Sequence, residues 1–403
     1  MGAAKQQMEL EFGRGWSSRS DHVCAGCLSD PALKKVISDS ALDDEECSFC
    51  GESPAAELDI LTEAFVEGLK TEYGNADDEG VPYDSGEGGY HVATTWDTWD
   101  LVNEYYDAFA NDAVRQAVCE AIGDQTWTET NWQLLRYNEQ LTSSWQSFCE
   151  QIQYKTRYVF WLRRDDADQE EERWGEIPAG RILDQIGQHI LDLDLVRKIP
   201  AGTKLWRARE VQDSEVTTAA GWRAADLGTA PRKFARTSNR MSPAGIPMFY
   251  GAFDQDTAVQ EVTRGKQLRL AVGTFELSRS CTVVDFTRLP SIPSIFDPER
   301  GYQRRTLLFL RQFVAQMAQP VRDGYDQIDY VPTQVVAEFL LKVFNPDDPI
   351  QGLIYTSSLN QRPCAVFDLD SSRCMEQTTG WDAQPKPHLG LVPGSVQMVE
   401  ANS

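Results

Sequence analysis

Apolar and polar residues alternate with a helical period through much of the first half of the chain. Over residues 56–70, apolar side chains recur at three- and four-residue steps, which places them on one face of an amphipathic helix. That face consists of Leu58, Leu61, Phe65 and Leu69. Similar signals cover residues 97–121, 143–163 and 181–196. We therefore predict a mostly helical region over 56–196, interrupted by an acidic, glycine-rich loop at 74–95.

The second of these signals, over 143–163, carries four apolar residues on one side of its predicted helix. They are Phe148, Ile152, Tyr158 and Val159. The run that follows, residues 163–173, is charged and is typical of a solvated connector or a helix surface.

The pattern changes near residue 200, where Ile199-Pro200-Ala201-Gly202 breaks the helical period. Short β-like runs follow, and they cover residues 203–208, 246–252, 268–277, 281–286, 352–356 and 364–368. Helical runs lie between them at 254–264, 303–318 and 333–344. Strands interleaved with helices predict an α+β domain over about 200–375. The proline- and glycine-rich tail after 376 is expected to be poorly ordered.

The composition is that of a soluble globular protein with room for two or three domains. Of the 403 residues, 41% are hydrophobic and 25% are charged. No run approaches the ~18 apolar residues that identify a membrane-spanning helix. Residues 1–20 are polar and lack the apolar segment of a secretory signal, so the expected location is the cytoplasm.

The net charge is −24, which repels nucleic acid and anionic membranes unless a local basic patch overrides it. Such a patch exists in the sequence, because residues 204–240 contain eight basic and four acidic side chains. This enrichment indicates an anion-binding surface in which arginines fork onto phosphate oxygens. The alternative, surface arginines paired with the protein's many carboxylates, stays open at this point.

Four of the nine cysteines form two tight pairs, Cys24-x-x-Cys27 and Cys47-x-x-Cys50. Each pair can direct two thiolates at one ion, and four thiolates complete the tetrahedral shell that Zn²⁺ accepts. Gly51 suits the tight turn of such a knuckle. We therefore predict a structural zinc site. The scattered cysteines are expected to be buried thiols; they are Cys119, Cys149, Cys281, Cys364 and Cys374.

Short segments of the C-terminal half carry the candidate chemistry. In chain order they are Leu205-Trp-Arg-Ala-Arg209, Arg240-Met-Ser-Pro-Ala-Gly-Ile-Pro-Met-Phe-Tyr250, Asp256-Thr-Ala-Val-Gln-Glu261, and Tyr330-Val-Pro-Thr-Gln334 with Gly352-Leu-Ile-Tyr-Thr-Ser-Ser358. Their order and spacing resemble the RES domain family, named for an arginine, a glutamate and a serine, over about 200–370. The N-terminal half resembles the HEPN-like domain that precedes RES in some bacterial proteins.

The resemblance implies roles for individual residues. Catalytic positions fall on Arg207, Glu261 and Ser357, and substrate-binding positions on Arg240, Tyr250 and Ser358. Ser358 forms a doublet with Ser357, so either hydroxyl could serve, and the tyrosine two positions before Ser357 favours that residue.

The resemblance also implies the organisation of the chain. We expect a zinc-binding module at 1–55, a helical HEPN-like domain at 56–198, a RES catalytic domain at 199–375 and a C-terminal tail at 376–403. The fold class is then α+β: a mostly helical N-terminal region with a small zinc knuckle precedes an α+β RES domain. That domain is related to ADP-ribosyltransferase-like folds.

The implied activity is cleavage of the nicotinamide–ribose bond of NAD⁺, by hydrolysis or phosphorolysis, in a bacterial toxin or antiphage defence effector. Alternatives are mono-ADP-ribosylation of a protein, an inactive binding module and a HEPN-type RNase. None of the four histidines follows an arginine at the short spacing of HEPN nucleases; seven residues separate Arg181 from His189. NAD⁺ is the expected substrate, with an antitoxin or regulatory protein and a second copy of the chain as candidate partners. The sequence predicts neither membrane nor nucleic acid as a partner.

Overall fold

The computed structural model describes residues 13–86, 88–162, 175–216, 218–319, 322, 324–377 and 388–401. Its chain divides into two compact units. The first combines Met1–Tyr137 with Ser291–Leu308, and the second combines Asn138–Pro290 with Phe309–Ser403. The domain boundaries after residues 55 and 198 stay predictions. The predicted charged connector at 163–173 lies outside the described residues.

The first unit is built from short helices and small antiparallel sheets. Its helices before residue 136 are α1 (Pro31–Ser40), α2 (Leu58–Lys70), α3 (Thr98–Glu104) and α4 (Asp112–Ile122). Its strands are β1 (His22–Val23), β2 (Ala56–Glu57), β3 (Tyr73–Asn75), β4 (Tyr83–Asp84), β5 (Gly89–Tyr90), β6 (Thr95–Asp97) and β7 (Thr126–Glu129). β1 pairs with β2, β4 pairs with β5, and the order of the third sheet is β3-β7-β6.

Helix α2 confirms the clearest prediction from periodicity, because all four residues of its predicted apolar face are fully buried. Phe65 lies at the centre of the core, and its ring stacks on Phe296 with centroids 4.6 Å apart. Gly68 permits this approach, since a Cβ atom there would lie 2.4 Å from the Phe296 ring. The same core contains Val23, Cys24 and Cys47, so the cysteine-rich segment shares it with α2.

Two predictions for the first unit need correction. The loop predicted at 74–95 contains β4 and β5 as well as the ends of β3 and β6, because backbone pairing satisfies its polar groups. The helical stretch predicted at 97–121 is two helices. Asn111 is the N-cap of the second helix, α4, because its side chain accepts a hydrogen bond from the N–H of Ala113.

The remaining helices and strands begin at or after residue 137. The helices are α5 (Tyr137–Glu150), α6 (Ile182–Asp192), α7 (Ala224–Leu227), α8 (Gln255–Thr263), α9 (Arg304–Ala318), α10 (Asp326–Asp329) and α11 (Val331–Lys342). The strands are β8 (Val196–Ile199), β9 (Lys204–Glu210), β10 (Phe249–Ala252), β11 (Leu268–Leu277), β12 (Cys281–Asp285), β13 (Gly352–Thr356), β14 (Pro363–Phe367), β15 (Cys374–Glu376), β16 (Leu389–Leu391) and β17 (Gln397–Ala401).

One mixed sheet contains β8–β17, and its path is β15-β16-β11-β9-β10-β14-β13-β12-β8. Neighbours are antiparallel except β12 with β13 and β15 with β16. The tail after 376 does not follow the prediction of poor order where it is described. β17 pairs with the first half of β11, and β16 pairs with its end. Both strands therefore hydrogen-bond to an edge of β11 that would otherwise be exposed.

The helix predicted over 143–163 is shorter in the structure. α5 ends at Glu150 and continues as one π-helical turn over Gln151–Lys155. Phe148 and Ile152 are buried as predicted, whereas Tyr158 and Val159 are exposed because the helical period has ended before them. Among the helices that the structure describes, none has the length and apolar character needed to cross a membrane.

Candidate active site

Arg207 lies in the interior of the large sheet, on β9 between β10 and β11. Its Nη1 donates a hydrogen bond to the carbonyl oxygen of Tyr250 at 2.9 Å. Its guanidinium carbon lies 5.1 Å from the centre of the Phe249 ring, within reach of a cation–π contact. Burial lowers the pKa of this arginine from its usual value. These two contacts hold the guanidinium against β10.

Tyr250 lies on β10, and its hydroxyl is tied to the turn that precedes this strand. The hydroxyl accepts from the N–H of Met241 at 3.2 Å and shares a hydrogen bond of 3.0 Å with the hydroxyl of Ser242. Burial raises the pKa of Tyr250, so the phenol stays protonated. The ring is consequently held at both ends, by its strand and by its hydroxyl.

Arg240 belongs to the same turn and reaches the end of α9. Its Nη1 donates to the carbonyl oxygens of Met317 and Gln319, each at 2.6 Å. Carbonyls at the carboxyl end of a helix carry partial negative charge, which favours a cation there. Both partners are neutral groups, so neither offsets the positive charge of the guanidinium.

The Tyr-x-Pro-Thr-Gln segment supports this turn from α11. The hydroxyl of Thr333 donates to the carbonyl oxygen of Arg240 at 2.5 Å, and Nε2 of Gln334 donates to that of Asn239 at 2.8 Å. Both side chains are buried. Pro332 lies in the first turn of the helix, where its missing N–H costs no hydrogen bond. The segment therefore positions the backbone that carries Arg240.

Glu261 lies in the last turn and a half of α8, a helix whose start is fixed by Asp254. The carboxylate of Asp254 accepts from the N–H and the hydroxyl of Thr257 at 2.9 Å and 2.8 Å. At the other end, Oε1 of Glu261 accepts a 2.5 Å hydrogen bond from the hydroxyl of Ser357, which is 1% exposed. Ser358 is exposed. Of the serine doublet, Ser357 is the one that contacts the glutamate.

A cavity of about 460 Å³ joins these residues, a volume typical of small-ligand sites. Arg207, Arg240, Tyr250 and Glu261 all line it. Ser357 adjoins the cavity through its bond to Glu261. The predicted site residues other than Ser358 and the cysteines thus converge on one cleft of the second unit.

Positive charge in the cavity has no acidic partner among the described residues. Arg207, Arg240 and Arg264 line the cavity, and none forms an ion pair with a described carboxylate. Two acids, Glu261 and Asp326, also line it. In a chain with 62 acidic residues, arginines held apart from carboxylates indicate a site for an anion. The alternative of arginines neutralised by surface acids does not describe these three.

The four paired cysteines lie together in the first unit. Sγ of Cys24 lies 3.5 Å from that of Cys50 and 3.8 Å from that of Cys27, which lies 3.8 Å from that of Cys47. All four sulfurs lie within 4.8 Å of one another. Thiolates bound at ~2.3 Å to one tetrahedral ion are roughly 3.8 Å apart, so the spacing fits a shared metal.

The backbone around these cysteines has the form of the predicted knuckle. Gly51 has φ of +77°, a conformation that favours glycine, and its N–H donates to the carbonyl oxygen of Cys47 at 2.8 Å. Burial tends to raise the pKa of the Cys47 thiol, but backbone N–H groups outweigh it and lower that pKa to about 7. This lowering favours the thiolate of Cys47, the form that binds metal, whereas burial raises the pKa values of the Cys24 and Cys27 thiols.

Comparison with known protein families matches two regions of the chain. Residues 40–166 match the model of the HEPN/RES N-terminal domain 1, and residues 204–385 match that of the RES domain. The chain carries a RES domain. The match confirms the resemblance drawn from the arginine, glutamate and serine segments, and the cavity lies within the RES domain. No curated protein and no solved structure matches the chain.

The cavity of the RES domain has further lining residues that the sequence did not single out for a role there. They are Trp206, Phe234, Arg264, Tyr330, Tyr355 and Cys364. Trp206 is adjacent to Arg207 in a predicted strand, where successive side chains point to opposite faces, so alternation gave no reason to place both in one cavity. Arg264 ends the helical run predicted at 254–264, and nothing in the sequence assigned its side chain to the cavity. Burial raises the pKa values of Tyr355 and Cys364. These two groups are therefore neutral and give the cavity a weakly polar wall.

Proposed function

We propose that the RES domain cleaves the nicotinamide–ribose bond of NAD⁺. The observation that carries this proposal is the placement of Glu261, bonded to Ser357, in one cavity with Arg207 and Arg240. A fixed carboxylate suits a sugar cation, and unpaired guanidinium groups suit a pyrophosphate. The RES family supports it, because its tested members degrade NAD⁺.

In the proposed reaction the bond between the anomeric carbon and the pyridinium nitrogen breaks. Its electron pair passes to the nitrogen, so nicotinamide leaves as a neutral molecule and needs no general acid. Positive charge develops on the ribose, and the carboxylate of Glu261 would stabilise it. A water oxygen then bonds to the same carbon and releases one proton to the carboxylate or to solvent, giving ADP-ribose.

The arginines would bind rather than react. Arg207 and Arg240 would hold the pyrophosphate, which fixes the distance from the anchor to the scissile bond. The ring of Tyr250, held by Ser242 and Met241, would offer an electron-rich face to the cationic nicotinamide. Ser357 would keep Glu261 in one rotamer.

Product analysis tests this proposal and separates the alternatives. Purified full-length protein is mixed with NAD⁺, with or without inorganic phosphate or candidate acceptor proteins, and products are resolved by chromatography. Equal amounts of nicotinamide and ADP-ribose support hydrolysis, ADP-ribose 1″-phosphate supports phosphorolysis, and labelled protein supports mono-ADP-ribosylation. Intact NAD⁺ under every condition would reject an NAD⁺-cleaving enzyme. An assay of RNA cleavage would then separate a nuclease from an inactive binding module.

We also propose that Cys24, Cys27, Cys47 and Cys50 hold a structural Zn²⁺. The donor set, with four sulfurs of compatible spacing, is the observation behind this assignment. Three of the four cysteines are buried, and Asn111 donates to the sulfur of Cys27 at 3.5 Å. A closed four-sulfur shell leaves no open position for substrate, so the metal would link the segments on either side of α1 and take no part in the reaction.

The biological role that follows is a toxin or defence effector that depletes NAD⁺ when released from an antitoxin or regulatory protein. Growth of cells that express the wild type or Glu261→Ala tests this role. Growth arrest by the wild type and recovery with the variant are expected. Equal toxicity of the two proteins would contradict it.

A further inference from the structure

Helix α8 ends on an arginine in a conformation that L residues seldom adopt. Arg264 has φ of +46° and ψ of +41°, and its N–H donates to the carbonyl oxygen of Gln260 at 3.0 Å. Glycine or asparagine normally occupies this left-handed position after a helix, because a Cβ atom costs free energy there. Gly265, the next residue, also has positive φ. A strained arginine at such a position points to a use for its side chain.

Arg264 follows Glu261 by three positions, a spacing at which opposite charges on a helix surface ordinarily pair. No ion pair joins these two residues, although both are described. Two features account for this. Ser357 occupies one carboxylate oxygen of Glu261, and the left-handed backbone at Arg264 departs from the helical φ and ψ angles on which that pairing depends. The two charges are thus kept apart within a few residues of each other.

The guanidinium of Arg264 differs from the other arginines of the cavity. Arg207 and Arg240 each donate from Nη1 to backbone carbonyls. Arg264 is exposed, lines the same cavity, and has no side-chain hydrogen bond to a described residue. Its planar fork therefore keeps all its donors for a ligand.

We infer that Arg264 binds the phosphate attached to the ribose whose anomeric carbon faces Glu261. This assignment rests on the proposed NAD⁺ cleavage. The phosphate and the scissile bond lie at opposite ends of one ribose, so their binding groups must lie close together. A cation three residues from the carboxylate meets that requirement, and a forked pair of hydrogen bonds would fix the sugar against Glu261.

A comparison of NAD⁺ with a substrate that lacks phosphate tests the inference. Arg264→Asn removes the guanidinium with a residue that tolerates the left-handed backbone, and Arg264→Gly removes both the guanidinium and the strain. Lys266→Asn is the matched control, because Lys266 is an exposed cation two residues away that does not line the cavity. Each protein is assayed for nicotinamide release from NAD⁺ and from nicotinamide riboside, which has the same scissile bond and no phosphate.

We expect both Arg264 variants to melt no lower than the wild type and to lose roughly 10- to 100-fold in kcat/KM for NAD⁺. With nicotinamide riboside the loss should be within about twofold, and Lys266→Asn should match the wild type on both substrates. An equal loss on both substrates, or no loss on NAD⁺, would overturn the assignment.

Binding of ADP-ribose, measured by calorimetry, separates this inference from the proposed function. Weaker binding by Arg264→Asn in a protein that releases no nicotinamide would leave the phosphate site standing and reject the cleavage reaction. Equal binding by wild type and variant, or no binding by either, would reject the phosphate site whether or not NAD⁺ is cleaved.

Discussion

The hydroxyl of Ser357 donates to the carboxylate of Glu261 across 2.5 Å, although 96 positions separate the two residues. One lies on α8 and the other directly after β13, and the sheet brings them together. The same hydroxyl accepts from the N–H of Leu359 at 3.2 Å, which orients its proton toward the glutamate. The pair therefore behaves as one unit, in which a serine positions a carboxylate.

Ser357→Ala should lower kcat for nicotinamide release about 10-fold, because a hydrogen bond to a charged group contributes roughly 1.5–3 kcal/mol. The KM for NAD⁺ should change little, since the arginines that hold the phosphates are untouched. Steady-state kinetics measure both parameters.

Ser358→Ala is the matched control for the serine doublet, because its side chain is exposed. Wild-type kinetics are expected of it. A loss of activity confined to Ser358→Ala would show that the wrong member of the doublet had been assigned.

Gln334→Ala should raise KM for NAD⁺ several-fold and leave kcat within about twofold of the wild type. Nε2 of Gln334 holds the carbonyl of Asn239, so its loss frees the turn that carries Arg240. Gln188→Ala on α6 removes an exposed glutamine bonded to Asp192 and is the control. An unchanged KM in Gln334→Ala, at normal melting temperature, would refute the positioning role.

Regular elements were largely predictable from the sequence. The apolar face of α2 follows from helical periodicity, and the extent of β11 follows from a run of residues with β-like character. The tail strands β16 and β17 were missed, since pairing with β11 is a long-range contact that proline and glycine content hides. Tyr158 and Val159 were misplaced because a π-helical turn ends the period of α5.

The sequence predicted which residues form the candidate site, but not which contacts hold them in place. Order and spacing of motifs selected Arg207, Arg240 and Glu261, and the cavity brings them together. The sequence contained no signal that Thr333 and Gln334 bond the turn before β10, nor that Arg264 has left-handed geometry. Both depend on the folded backbone.

Purified wild-type protein should contain about one zinc ion per chain, measured by plasma mass spectrometry. Cys47→Ser should abolish it and lower the free energy of unfolding by about 4 kcal/mol or more, because the metal stabilises only the folded form. Cys149→Ser, which alters a thiol outside the cluster, should retain the zinc. Metal-free wild type with unchanged stability in the presence of chelator would contradict the site.

Stability should fall as the pH is lowered from about 6.5 toward 4 because of His388. Burial, with the charges of Arg279 and Arg373, lowers the pKa of this histidine from 6.5 to about 4. The unfolded chain binds a proton in this range and the folded chain does not, so folding becomes less favourable as protons are added. The loss is roughly 3 kcal/mol at most.

Thermal or urea unfolding between pH 4 and pH 7 measures this dependence. In His388→Gln, the contribution of residue 388 to the pH dependence of the free energy of unfolding should disappear, since the variant has no titrating group there. Identical pH profiles for the wild type and His388→Gln would refute the assignment.

The role of Glu261 in cleavage is tested by the rate at which Glu261→Gln releases nicotinamide from NAD⁺. The substitution keeps the size of the side chain and an acceptor for Ser357 but removes the charge that stabilises the ribose cation. We expect a rate about 10²–10³-fold below that of the wild type, with an unchanged melting temperature and a similar Kd for ADP-ribose. Release at the wild-type rate by this variant would show that the charge of Glu261 does not stabilise the ribose cation.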